Sequence, residues 1–233
     1  KGICEEDLLS AAKMAFEGGY TSVKLYFMLG LPYETIEDVC EIATLGNKVL
    51  GEYFSIEKEK RPKGLRLSIS VSSFVPKAFT PFQWVRQNTL DEIKEKQAEL
   101  KKCMPKRINF AYHAAPVSVL EGVFARGDRR LSEVILKAVE KGVKFDGWDE
   151  HFKADKWQEA FEECGLDTSF YAHRRRSYDE IAPWSHLDYL VSHEFFVREN
   201  KKAHQAVTTR NCKEGCSGCG IKCEYGGVYC GKR

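Results

Sequence analysis

The chain has 233 residues, 43% of them hydrophobic and 30% charged, a balance that allows one large or two small domains with a real core. Its net charge of +2 supplies no global field for a nucleic acid or an anionic membrane. No apolar run approaches a membrane span, the opening KGICEEDLL is not a signal peptide, and nine cysteines are an odd number. A cytosolic protein with reduced thiols or metal ligands is expected, not a secreted disulfide scaffold or a membrane protein.

The first half alternates helix and strand signals. Residues 5–17 place Leu8, Ala12, Ala15 and Phe16 at helical spacing, and Gly18-Gly19 stop them. TSVKLYFML (21–29) predicts a strand buried on both faces near its end, because Leu25 to Leu29 is a continuous apolar run. Thr35 with Asp38 predicts a helix start, running to about Leu50. LRLSISVSSF (65–74) is an alternating strand, with Leu65, Leu67, Ile69 and Val71 on one side and Arg66, Ser68, Ser70 and Ser72 on the other. Thr89 and Glu92 open a further helix to about Met104, and RINFAYH (107–113) is a third strand. Strands separated by helices imply βαβ units and a parallel sheet. Three strands are too few for a closed eight-unit barrel. The chain therefore reads as a small open sheet or as the back half of a longer barrel, and the missing Met with an opening straight into a helix favours the second.

Beyond residue 115 the pattern is helical. PVSVLEGVFA begins with Pro116 at a first-turn position. RLSEVILKAVEKG groups Leu131, Val134, Ile135, Ala138 and Val139 on one face. Asp155 and Gly165 bracket another helix, and Ser177 with Glu180 forms a capping-box pattern ahead of a helix over LDYLVSHEFFVRE. The expected organisation is a barrel portion over 1–115, a helical extension over 116–203 and a Cys-rich tail over 204–233.

In parallel α/β proteins ligands sit at the C-terminal strand ends, which points to LGLPYET (29–35), SFVPKAFTPFQW (73–84) and HAAP (113–116). The second is stiffened by Pro76 and Pro81 and offers Phe74, Phe79, Phe82 and Trp84 to a planar or apolar ligand, or else simply packs over the sheet. VKLYFMLGLPYETIEDV resembles the fifth-strand segment of radical S-adenosylmethionine (SAM) enzymes, where a GLPxET pattern leads from strand to helix. SISVSSFVPKAFTPFQW is similar to their sixth-strand segment. The subfamily resembled most carries a cobalamin-binding domain ahead of the barrel and ends in RGDRR, FDxWxEHF and APW-like stretches with a Cys-rich tail; here these are Arg126–Arg130, Phe145–Phe152 and Ala182–Trp184. The resemblance implies a partial (βα)6 TIM-like barrel, with an upstream barrel half and a cobalamin domain on the same polypeptide. It places Met28, Gly30, Phe74, Val75 and Pro76 beside SAM as packing and backbone hydrogen-bonding neighbours, with the substrate unspecified.

The tail NCKEGCSGCGIKCEYGGVYC holds five cysteines between residues 211 and 230. Cys212, Cys216 and Cys219 match the C-x3-C-x2-C signature that holds the SAM-cleaving 4Fe–4S cluster of radical SAM enzymes. That role is not assigned here, because the family's motif follows the first strand, no aromatic precedes Cys219, and Cys223 can close the open iron. The SAM-cluster cysteines are expected upstream, so the fragment alone should be inactive. Cys212, Cys216, Cys219 and Cys223 instead resemble a ferredoxin-type run for an iron–sulfur cluster, with a structural zinc as the rival and Cys230 as a possible substitute ligand. Cys4, Cys40, Cys103 and Cys164 each sit within or beside a helical pattern and read as small structural hydrophobes. His113 is a candidate acid–base group or a satisfied structural histidine. The competing view of the whole is a small α/β binding module with a zinc tail, contacting RNA or protein through Arg174, Arg175 and Arg176 of HRRRS.

Overall fold

The computed structural model describes residues 3–221. Its chain divides into two units. One comprises the described residues through Phe74 together with Asn88–Ser118; the other comprises Val75–Gln87 and the described residues from Val119 onward.

The first unit runs α1 (Glu5–Glu17), β1 (Ser22–Leu29), α2 (Ile36–Ser55), β2 (Arg66–Ser73), α3 (Leu90–Cys103) and β3 (Ile108–Tyr112). The three strands form one parallel sheet in the order β1-β2-β3, so spatial order follows chain order. Thr35 and Thr89 start α2 and α3 as their spacing predicts, each hydroxyl accepting from the backbone N–H three residues on. On one sheet face Leu67, Ile69 and Val71 are 1% exposed or less. The second helix lies against this face at Gly46, where a Cβ atom would come within 2.7 Å of Ile108 Cδ1 and 2.8 Å of Ile69 Cδ1. Helix α2 packs between α1 and α3, with Phe16 edge-on to Tyr53 at 5.4 Å. Cys40 and Cys103 join α2 to α3 as a disulfide, their Cα atoms 5.8 Å apart. This corrects the reading of both as small structural hydrophobes: the residues sit on facing sides of adjacent helices.

The opposite face is built differently. The register aligns Lys24 with Ser68 and Asn109, Tyr26 with Ser70 and Ala111, and Met28 with Ser72. Tyr26 is 73% and Met28 51% exposed. The expectation that β1 is buried on both faces near its end therefore fails, because the hydrophobic run lies on an edge strand whose helical cover is confined to the other side. Parallel sheets are normally covered on both faces; within the first unit the described helices cover one.

In the second unit, α4 (Ala115–Ala125), which spans the unit boundary, is followed by α5 (Leu131–Glu140), α6 (Ala154–Glu163), α7 (Thr168–Ala172) and α8 (His193–His204). Val123, Leu131, Val134, Ala138, Phe161 and Tyr171 form its core. Ile135 and Val139 are 45% and 61% exposed, so the apolar stripe of α5 is narrower than its sequence suggests. The helix expected over 187–199 begins only at His193, capped by Ser192. Ser177 and Glu180 form a turn instead of a capping box, and the Glu180 carboxylate is taken by Arg174. Helix α6 is capped by Lys153, two residues before the expected Asp155 boundary. No helix among the described residues is long and apolar enough to cross a membrane.

One-sided packing has a direct consequence. Ile69→Ala, on the covered face, should cost about 2–5 kcal/mol of unfolding free energy. Ser70→Ala, on the open face, should stay within about 0.5 kcal/mol of the parent in the same urea titration.

Candidate functional site

Within the first unit, the C-terminal ends of β1 and β2 converge on Gly30. The pairing carries one step past the strands, Phe74 N–H donating to the Leu29 carbonyl at 2.8 Å. Gly30 has φ +81, a conformation costly for any residue with a Cβ. Its N–H donates to Glu34 Oε2 at 2.6 Å. The same oxygen accepts from Lys96 Nζ at 2.8 Å, and the two side chains are only 8% and 12% exposed. Glu34 comes from the loop before α2 and Lys96 from α3, so this largely buried ion pair locks the loop conformation to the helix layer.

Asn88 completes the turn. Its Oδ1 stands 3.0 Å from the place where a Gly30 Cβ would be. Asn88 Oδ1 and Ser73 Oγ are both buried and have no hydrogen-bond partner among the described residues. Buried oxygens left without partners are rare enough to demand an explanation, and a polar ligand is one. The set offers hydrogen bonding to a neutral polar group, not acid–base chemistry, because the charge on Glu34 is already spent on Lys96 and the Gly30 N–H.

Of the residues expected beside SAM, Gly30 is at this centre and is buried, Phe74 is 8% exposed, and Met28 is half exposed on the open sheet face. Val75 (7% exposed) and Pro76 are also buried but fall in the second unit. Ser73, Asn88 and Lys96 were not singled out from sequence; Glu34 was visible only as part of the GLPYET stretch. His113 continues the sheet pairing through its N–H to the Val71 carbonyl at 3.1 Å, and its carbonyl accepts from Gln97 Nε2 at 2.9 Å.

The aromatic loop is partly satisfied by its own unit. Phe79 stacks on Tyr189 at 4.1 Å, Trp184 Nε1 donates to Gln83 Oε1 at 2.8 Å, and Asn200 Nδ2 donates to the Pro81 carbonyl at 2.7 Å. A cavity of about 210 Å³ remains between Phe79, Trp84, Trp184 and Tyr189.

In the tail, Cys212 and Cys216 are exposed and Cys219 is half-buried; Cys223 and Cys230 lie outside the described residues. Among the described residues no three His, Cys, Asp or Glu side chains stand together in a metal-binding arrangement. The tail backbone is nonetheless tied down. Cys219 O accepts from Ser192 N–H at 2.8 Å, Arg198 Nη2 donates to Ser217 O at 2.7 Å, and Gly218 N–H points at Cys216 Sγ at 3.4 Å. Gly218 and Gly220 have φ of +69 and +107, which turn the chain between thiols.

No family model matches the chain. It is 30% identical over 167 residues to "Uncharacterized protein MJ0966" of Methanocaldococcus jannaschii, an alignment taking in 71% of this chain and 35% of that protein. The chain thus spans about a third of the curated relative it matches. No solved structure matches it.

Glu34→Gln leaves Lys96 buried without a counter-charge and should cost about 3–5 kcal/mol by chemical denaturation. Adding Lys96→Met to that variant should restore most of the loss, since removing both charges also removes the desolvation penalty.

Proposed function

We propose that this chain is the C-terminal part of a radical SAM iron–sulfur enzyme. The observation that carries the reading is the sheet: three parallel strands in chain order, with their helices on one face only. In a doubly wound fold helices cover both faces. A sheet wound in one direction finds its second cover by closing toward a barrel, where the open face becomes the interior. The face bearing Tyr26, Met28, Ser70 and Ser72 would then line that interior. The buried, unpartnered Ser73 Oγ and Asn88 Oδ1 lie at its C-terminal rim, where ligands of such folds bind. The GLPYET and FVPKAFTPF stretches support the same assignment, and a relative much longer than this chain accords with a longer parent.

On this reading Ser73 and Asn88 hold polar groups of SAM, Gly30 lets the backbone approach it closely, and Met28 and Phe74 pack against its adenosine. When bound, SAM and an upstream 4Fe–4S cluster supply radical chemistry of the 5′-deoxyadenosyl type. This chain's own residues position the cofactor and exclude water from it. The tail thiols Cys212, Cys216, Cys219 and Cys223 would hold a second centre that passes electrons or anchors the terminus. Cobalamin in the parent protein rests on the subfamily resemblance alone. The RNA-binding alternative gains little, since of its three arginines only Arg175 is exposed.

The parent protein, purified without oxygen and reduced with dithionite, should convert SAM to 5′-deoxyadenosine. Asn88→Ala should raise the SAM concentration needed for half-maximal turnover by about tenfold, the loss of one good buried hydrogen bond. Absence of 5′-deoxyadenosine from a preparation with a full cluster complement would reject the proposal.

A further inference from the structure

The second unit holds a cluster of arginines that the SAM reading does not use. Arg126 of the RGDRR stretch is 0% exposed and Arg176 of HRRRS 3%. Arg126 donates from Nη1 to the Ala172 carbonyl at 2.9 Å and from Nη2 to the Arg174 carbonyl at 3.1 Å. Arg176 Nη2 donates to the Arg126 carbonyl at 2.7 Å. These bonds fix both guanidiniums in place but neutralise neither.

Two carboxylates, Glu180 and Asp128, act on the group. Arg174 takes both oxygens of Glu180, at 2.7 and 2.6 Å. Arg176 Nε reaches Glu180 Oε1 only at 3.6 Å, too far for a hydrogen bond. Asp128 is engaged by Arg130 at 2.7 Å. Arg126 Nε and Arg176 Nε and Nη1 are therefore buried donors with no partner among the described residues. Burial, and after it the neighbouring Arg176 charge, lowers Arg126 to about 10, so it stays protonated at neutral pH. The Trp184 ring under Arg176, 4.9 Å from its guanidinium, offsets part of one charge. Arg126, Arg174 and Arg176 thus share the single charge of Glu180, and buried positive charge in such excess is strongly unfavourable unless an anion joins it. An open cavity of about 440 Å³ adjoins Arg176, lined also by Arg175, Ser177, Tyr178 and Asp179.

We propose that this cavity binds the phosphate group of a small molecule, with Arg176 as its direct ligand and Arg126 as the charge behind it. A phosphate dianion matches the charge that these three guanidiniums carry in excess of the one Glu180 carboxylate, where a carboxylate would match half of it. Ser177 supplies a hydroxyl beside it. Asp179, the one acid in the lining, is exposed and screened by solvent. An RNA backbone fits less well, because Arg174 is locked on Glu180 and Arg176 is recessed, which leaves one exposed arginine to track a strand.

The test is isothermal titration of this chain at constant ionic strength with inorganic phosphate, with glycerol 3-phosphate and with a single-stranded RNA oligonucleotide. Saturable binding of about one phosphate or phosphate ester per chain is expected. Preference between the first two ligands separates free phosphate from a monoester. Arg176→Gln should weaken binding by about tenfold or more and Arg175→Gln by less than about twofold. Should Arg176→Gln fail to fold, the tryptophan fluorescence of the parent chain supplies the readout. A saturable change at the calorimetric midpoint, lost in Trp184→Phe, supports the site; absence of such a change rejects it. No saturable binding of either phosphate, equal weakening by both arginine substitutions, or binding of RNA alone would overturn the proposal.

Discussion

The contact between Gly46 and the pair Ile69 and Ile108 governs the first unit. A side chain at Gly46 would collide with both isoleucine Cδ1 atoms, so its absence lets α2 settle directly onto the middle of the sheet. With α2 seated there and α1 and α3 on either side, the apolar residues of β2 and β3 are spent on one face. The other face is left with serines, an asparagine, a lysine, and the exposed Tyr26 and Met28. Every functional argument about this unit follows from that asymmetry.

The same layer fixes the strand ends. Helix α3 contributes Lys96, the loop before α2 contributes Glu34, and their ion pair sets the Gly30 turn. The turn in turn places Asn88 and Ser73 with buried oxygens that no described residue satisfies. Among the described residues, unmet polar demand includes neutral oxygens at the strand ends of the first unit and cationic nitrogens of Arg126 and Arg176 in the second. They call for different ligand chemistry.

Much of the fold was legible because its signals are local. Thr35 and Thr89 announce their helices, and the Leu67, Ile69 and Val71 alternation announces a half-buried strand; all behave as read. Errors arose where tertiary partners decide. Leu25 to Leu29 looks like a doubly buried strand, yet burial of the second face needs a cover that the run cannot encode. Ser177 and Glu180 have the spacing of a capping box, but Arg174 competes for the carboxylate and wins with two hydrogen bonds. Cys40 and Cys103 are 63 residues apart in sequence, and only the packing of α2 on α3 reveals them as a pair. Likewise, nothing in RGDRR distinguishes the buried Arg126 from its exposed neighbours.

The central claim is that the open sheet face lines a cofactor cavity in the parent protein. Anaerobic carbene footprinting of that protein tests it most directly, because Met14 and Met28 are both well exposed in this chain, at 62% and 51%. The account predicts that in the parent Met28 labels at less than about a tenth of the Met14 rate and falls further when SAM is added, since interior side chains are removed from solvent. Equal labelling of the two methionines, unmoved by SAM, would contradict it.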